Sequence, residues 1–267
     1  MTQERVSRSL DWRPGKLVRI EAGKSPITIT DLRALLDTYG VTSEGRRERL
    51  ETLARHARQH GWWENYRDTL DVGTLQYAGY LTGASVIRHF QNAVIPGPLQ
   101  TRAYGTVLTA NYVDDSTVDR KVEFRQELSR QLDQRAAPPL RLYVLDEAVI
   151  QRYVGARRDA SIMPEQLRYV ADLAEGDDSI TVRIVPFGAG AHIGMAGPFV
   201  LMEFEGGAVN LLYREAAPDS RSQSTVTTDE VLVADYRSNF EVILEGALSG
   251  GESIERLREV ADRFSAR

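Results

Sequence analysis

Residues able to carry out chemistry are present in this chain, but the spacing that catalysis needs is not. No Gly-x-Ser-x-Gly occurs, and Ser85 in TGASV and Ser249 in ALSGGES lack the strand, turn and helix that expose a nucleophile. The glycine-rich run from Phe187 to Gly194 precedes an expected strand instead of opening a helix, so it reads as a hairpin loop and not a phosphate cradle. Of the histidines, His56 and His60 have a helical metal-binding spacing, but no acidic third ligand accompanies them and Arg55 and Arg58 lie beside them, so they read as a solvated face. His89 and His192 stand apart. Asp146 and Glu147 follow an expected strand, and neighbouring carboxylates there point to opposite faces, which makes helix capping the plainer role of Asp146. The reading is therefore of no enzyme, no catalytic set, no metal and no cofactor.

Charge points elsewhere. The chain has 267 residues, 42% hydrophobic, no cysteine and a formal charge of −5. Disulfides and cysteine-ligated metals are excluded. The negative average hides an asymmetry: residues 1–60 carry 12 Lys+Arg and 8 Asp+Glu, net +4, and residues 61–267 carry 21 and 30, net −9. A small basic head on a larger acidic body suggests a polyanion-binding module joined to something that must not stick to polyanions. No apolar run reaches the roughly 18 to 20 residues of a membrane span. A soluble, cytoplasmic protein with no membrane partner is expected.

In the head, Val6 and Leu10 share one face of a short helix. After Asp11-Trp12-Arg13, Pro14 suits a first helical position, and Leu17, Ile20 and Glu21 fall opposite Gly15, Val18 and Arg19, with Lys16 on the flank. Thr30 is read as the N-cap of a third helix in which Leu32, Leu35, Leu36 and Tyr39 recur at helical spacing before Gly40. Helix, tight turn, short basic helix and third helix is the order of a helix-turn-helix reader of double-stranded DNA. Arg13, Lys16, Arg19 and Lys24 are the candidate phosphate or guanine contacts, and Val18 could touch a thymine methyl.

Residues 2–41, TQERVSRSLDWRPGKLVRIEAGKSPITITDLRALLDTYGV, resemble the later part of the xenobiotic-response-element (XRE) type of helix-turn-helix, the lambda-repressor-like class of many actinobacterial regulators. The string KLVRIEAG is the most specific piece of the match. The resemblance implies a first motif helix from Gln3 to Leu10 and a recognition helix from Pro14 to Ala22. Two departures stand out. Family members begin with a further helix that has no counterpart before Thr2, which leaves either a miscalled start or a weakened head. Glu21 would then lack its usual basic partner, and the core around Val6, Leu17 and Leu35 would stand open. Arg13 and Gly15 occupy positions where relatives often carry serine, so a cap worth about 1 kcal/mol is lost and Gly15 adds a helix penalty of up to about 1 kcal/mol.

A connecting helix is expected over 43–60, with Leu50, Leu53, Ala54 and Ala57 on one face. The body, 61–267, reads as α+β. Helices are expected over Leu81 to Gln91, through Tyr104 and Leu108, along the stripe Val118, Val122, Phe124, Leu128 and Leu132, and over Pro164 to Glu175, Asp229 to Leu248 and Ser253 to Phe264. Strands are expected at 140–148, 180–187, 199–204 and 208–215, the last two joined by a hairpin at Glu205-Gly206-Gly207. The result is a small, partly antiparallel sheet covered by helices. Tyr77, Tyr80, Phe90, Tyr104, Tyr112 and Tyr143 are read as core around it, with a ligand cleft as the alternative. Pro96, Leu99, Gln100 and Tyr104 mark the loop where a ligand or partner would be sought.

IPGPLQTRAYGTVL, FRQELSRQL, PPLRLYVLDEAVIQRYVG, PEQLRYVADLA, ITVRIVPFGAGAH and GPFVLMEFEGGAVNLLYRE resemble the uncharacterised domain that follows the helix-turn-helix in WhiJ-like actinobacterial regulators and their antitoxin-like relatives. Pro98 stands where that family usually has leucine. The resemblance implies transcriptional regulation, often beside a gene for a small partner protein. With a homodimer expected from the size of one head, the reading is a DNA-binding regulator whose body dimerises, senses a ligand or binds a partner. The alternatives are a toxin-antitoxin-like interaction protein with a vestigial head, or a recruited enzyme or ligand-binding scaffold.

Overall fold

A computed structural model describes residues 2–13, 15–21, 25, 27–58, 61–205, 209–215 and 223–266. They form two compact units, Met1–Trp62 and Trp63–Arg267. Eleven helices and one six-stranded mixed sheet are found among the described residues.

The first unit is all helical: α1 (Gln3–Ser9), α2 (Lys16–Glu21), α3 (Ile29–Thr38) and α4 (Glu44–Arg58). The expected connector, α4, packs on α3 through Leu32, Leu36 and Ala54, with Leu50 and Val41 alongside. His60 and the His56 side chain, read from the sequence as part of a solvated face, lie outside the described residues.

In the second unit, β1 (Val86–Gln91), β2 (Leu140–Asp146) and β3 (Ile180–Val185) are parallel. The strands β4 (Phe199–Glu203), β5 (Leu211–Arg214) and β6 (Thr225–Thr227) continue the sheet antiparallel, in the order β3-β2-β1-β4-β5-β6. The helices α6 (Arg102–Thr109) and α7 (Asp115–Asp133) lie between β1 and β2 in the chain. Between β2 and β3 lie α8 (Glu147–Gln151) and α9 (Ile162–Gly176). One face packs Tyr143, Leu145, Val182 and Ile184 against α6, α9 and α11 (Gly250–Ser265). The other packs Phe90, Val144, Phe199 and Leu212 against Val233, Phe240 and Ile243 of α10 (Glu230–Glu245).

The expected helix over Leu81 to Gln91 is corrected. A helix, α5 (Val72–Leu81), ends there, and β1 follows as a central strand paired on both sides. Thr82 donates to the Gly79 carbonyl at the helix end, and the β-favouring run VIRHFQ is then recruited by long-range pairing that local periodicity does not encode. His89, in β1, is buried among apolar neighbours, and burial pushes its imidazole down to about 3, so it is neutral.

The glycine-rich loop is no hairpin, because β2 and β1 lie between β3 and β4. It crosses the carboxyl ends of the parallel strands in two 3-10 turns, Phe187–Ala189 and Ile193–Ala196. Three polar ties hold it. Asn92 donates to the Gly194 carbonyl (3.2 Å), His192 Nε2 lies 3.0 Å from Asp146 Oδ2, and the Phe187 N–H donates to Glu147 (2.8 Å). Asp146 also caps α8, accepting from the Ala148 N–H. Burial opposes ionisation of Glu147, but the Phe187 N–H, Gln151 and Arg256 together hold its carboxyl below the usual range. Ser249 is likewise structural, the N-cap of a capping box with Glu252 that opens α11. The outer edge of β3 is closed by the same segment: Leu248 donates to the Ile184 carbonyl, and the Ile184 N–H donates to Ser253 Oγ.

The loop proposed as a ligand or partner surface is internal. Pro96, Leu99, Gln100 and Tyr104 are buried. The Ile95 N–H donates to the Tyr104 hydroxyl (3.1 Å), and Gln100 donates to the Ile95 carbonyl (2.7 Å). Gln166 donates to the Leu99 carbonyl and accepts from the Thr101 N–H, both at 2.7 Å. These side chains satisfy the backbone of a buried turn and so are not presented to solvent. Tyr77, Phe90 and Tyr143 are core as well, whereas Tyr80 and Tyr112 are exposed.

Tyr104→Phe strands the buried Ile95 N–H and is expected to cost about 1–3 kcal/mol in urea unfolding. A change within the error of the measurement would contradict this role.

Candidate nucleic-acid interface

The turn between α1 and α2 is built by two backbone hydrogen bonds. The Asp11 N–H donates to Arg8 (3.3 Å) and the Trp12 N–H to Ser7 (2.9 Å), the paired pattern of a Schellman cap. Asp11 takes the left-handed position at φ 51°, where a short polar side chain is tolerated. The same cap closes α3, with Gly40 at φ 69° and the Val41 N–H donating to Leu36 (2.9 Å). In each case the next residue is apolar and packs inward, Trp12 on the Val6 cluster and Val41 on the Leu36 cluster.

Gly15 carries no helix penalty. It lies before α2 at φ 83°, a conformation that disfavours any residue with a Cβ, so glycine suits the entry to the helix. The helix expected over Pro14 to Ala22 is described as Lys16–Glu21, with Gly15 ahead of it, and Pro14 and Ala22 lie outside the described residues. The N-cap of α3 is Thr28 and not Thr30: its hydroxyl accepts from the Asp31 N–H at 3.0 Å.

The expected open core is closed. Val6 and Leu17 are fully buried and Leu35 nearly so, with Leu10, Trp12 and Ile27 packed around them. Glu21 does not lack partners either. It accepts from Gln3 Nε2 (2.6 Å) at the start of α1 and from the Tyr39 hydroxyl at the end of α3, so one carboxylate ties three helices.

With Leu17 inside, the next two residues face water. Val18 is 48% exposed, and Arg19 and Arg13 are exposed. Lys16 is half-buried and already engaged, 2.8 Å from Asp31 Oδ1 and 4.3 Å above the Trp12 ring centroid. Its charge remains beside the Arg19 face while its position clamps α2 to α3. Lys24 lies outside the described residues. Neither the Asp31 nor the Trp12 tie is marked in the local sequence pattern, since each joins residues that only the fold brings together.

Partial burial, then the hydrogen bond to Glu21 and its charge, push the Tyr39 phenol up to about 12. The folded head holds that proton more tightly than the unfolded chain, so the contribution is complete below about pH 10 and is lost as pH rises towards 12. The stability gap between wild type and Tyr39→Phe in thermal melts should therefore be widest near neutrality and close at high pH. An undiminished gap at the alkaline end would contradict the Glu21 contact.

No helix among the described residues is long and apolar enough to cross a membrane. Residues 1–50 match a family model described as a helix-turn-helix domain, a type that binds DNA, and residues 75–259 match the model of a domain of unknown function, DUF5753. No curated protein and no solved structure matches the chain. The second match spans more than half of the sequence and carries the sheet and its covering helices, and the chain belongs to the DUF5753 family.

Proposed function

We propose that the protein is a DNA-binding transcriptional regulator. The observation that carries this reading is the outward face of α2: Leu17 is fully buried and Val18 and Arg19 are exposed, within a helix-turn-helix unit of net positive charge. Arg13 and Arg19 neutralise phosphates or bond guanine, and Val18 contacts a thymine methyl. Lys16 contributes its charge from a fixed place, which suits phosphate positioning better than base reading. The acidic body keeps non-specific DNA contact to the head.

One head of this size covers little surface, so useful affinity requires a homodimer on a two-fold site, with the DUF5753 body joining the copies and carrying the regulatory input. That input is a small ligand or a partner protein received by the body.

Fluorescence anisotropy with duplex DNA over a salt series tests the reading. Binding should weaken linearly in log salt, and Arg19→Ala should reduce the slope by about 1, because one fewer phosphate is neutralised. Val18→Glu should weaken binding at every salt concentration. Unchanged affinity and slope in both variants would reject the assignment.

A further inference from the structure

The outer face of α10 carries few charges along one line. Val231, Ala234, Ser238 and Val242 fall on one stripe, and all four are solvent-exposed, Val231 at 73% and Val242 at 57%. Against α10 runs the glycine-rich crossover, residues 187–197, FGAGAHIGMAG, with no Lys, Arg, Asp or Glu. It exposes Phe187 (61%), Ile193 (50%) and Met195 (66%). The turn Ile193–Ala196 packs against α10, and Ala189 lies 3.9 Å from where a Cβ on Gly246 would be.

We infer that this surface is the seam of an isologous homodimer, formed by α10 packed antiparallel on α10 of a second copy, with the 187–197 crossover as its flank. This rests on the homodimer reading above and places the contact. Three observations favour a second copy as the occupant. First, the stripe is self-complementary. A two-fold axis beside Tyr236 and Arg237 sets Val231 against Val242 of the partner subunit, and the reverse at the other end. The two valines of one helix lie about 16 Å apart along its axis. Between them Ala234 and Ser238 are small and let the two backbones approach. Second, the area is of the right scale: the five exposed apolar side chains leave on the order of 500 Å² open to water, against about 800 Å² per partner in a stable interface. Third, the centre of the surface lacks charge, while Asp235, Arg237, Glu241 and Glu245 stand at its margins, the apolar-core and polar-rim arrangement of protein interfaces.

The seam residues are exposed, so charge can be introduced without disturbing the core. In sedimentation velocity at tens of micromolar, the full chain should run as a dimer and Val231→Glu/Val242→Glu as a monomer, with an unchanged far-UV spectrum. Because the chain has no cysteine, engineered thiols report geometry cleanly. Oxidising a mixture of Val231→Cys and Val242→Cys chains should give a covalent pair, and either chain alone should not, since like positions are distant across the axis. A wild type that sediments as a monomer overturns the proposal. So does a dimer that persists in the double glutamate variant, or a thiol pair that forms as readily from one variant alone. Failure here is separable from failure of the DNA reading: the monomeric variant retains the head and its salt-dependent, weaker contact with a half-site duplex, measured in the same anisotropy assay.

Discussion

A six-residue helix cannot hold itself together in water, so α2 exists because Leu17 is buried between α1 and α3. That one side chain sets the rotation of the helix. With Leu17 inward, Val18 and Arg19 are turned out, and every statement about DNA follows from this phase. The supporting contacts are arranged to keep it. The Schellman turn at Asp11 brings Trp12 back onto the Val6 cluster, Gly15 supplies the left-handed entry, and the Lys16–Asp31 pair fixes one side of the helix. At the far end, Glu21 bonds both Gln3 and Tyr39. An exposed ion pair or hydrogen bond contributes little alone. Their value here is that they act on a short element that already has its apolar anchor.

The body is governed by a different constraint, the need to satisfy sheet edges and loop backbones inside a mixed fold. Side chains that could have done chemistry serve this need instead. Tyr104, Gln100 and Gln166 pair the backbone of a buried turn, Asp146, Glu147 and His192 hold the crossover over the strand ends, and Ser249 with Glu252 opens α11. The crossover has no Lys, Arg, Asp or Glu and leaves apolar groups in water. Together with the Val231 to Val242 stripe, it is one of the places where large apolar side chains of the body stay open to solvent among the described residues.

What was legible in the sequence followed the range of the interactions involved. The α3 stripe and its glycine stop, the four strands from β2 to β5 and the paired faces of α2 are local patterns, and they appear in the structure close to where periodicity puts them. Errors arose where a distant partner decides. The segment holding β1 has helical spacing, but β2 and β4 claim it from both sides, and β6 is a three-residue edge defined by its pairing with β5. Thr28 and Thr30 are equally good caps by composition, and the choice between them is made by where the helix can pack. Gly15 reads as a helix defect in the sequence because its left-handed φ is invisible until the turn is built. At the interface, Val18 and Arg19 could be read from their phase against Leu17, whereas the engagement of Lys16 by Asp31 and Trp12 could not.

The central claim, that the outward face of α2 lies against duplex DNA, is tested most directly by a single thiol in this cysteine-free chain. With Val18→Cys, the rate of alkylation by a water-soluble maleimide is measured with and without bound operator DNA, and a Val72→Cys chain serves as an exposed reference in the body. The account predicts strong protection at position 18 and none at position 72. Equal alkylation of both thiols on saturated DNA would contradict it.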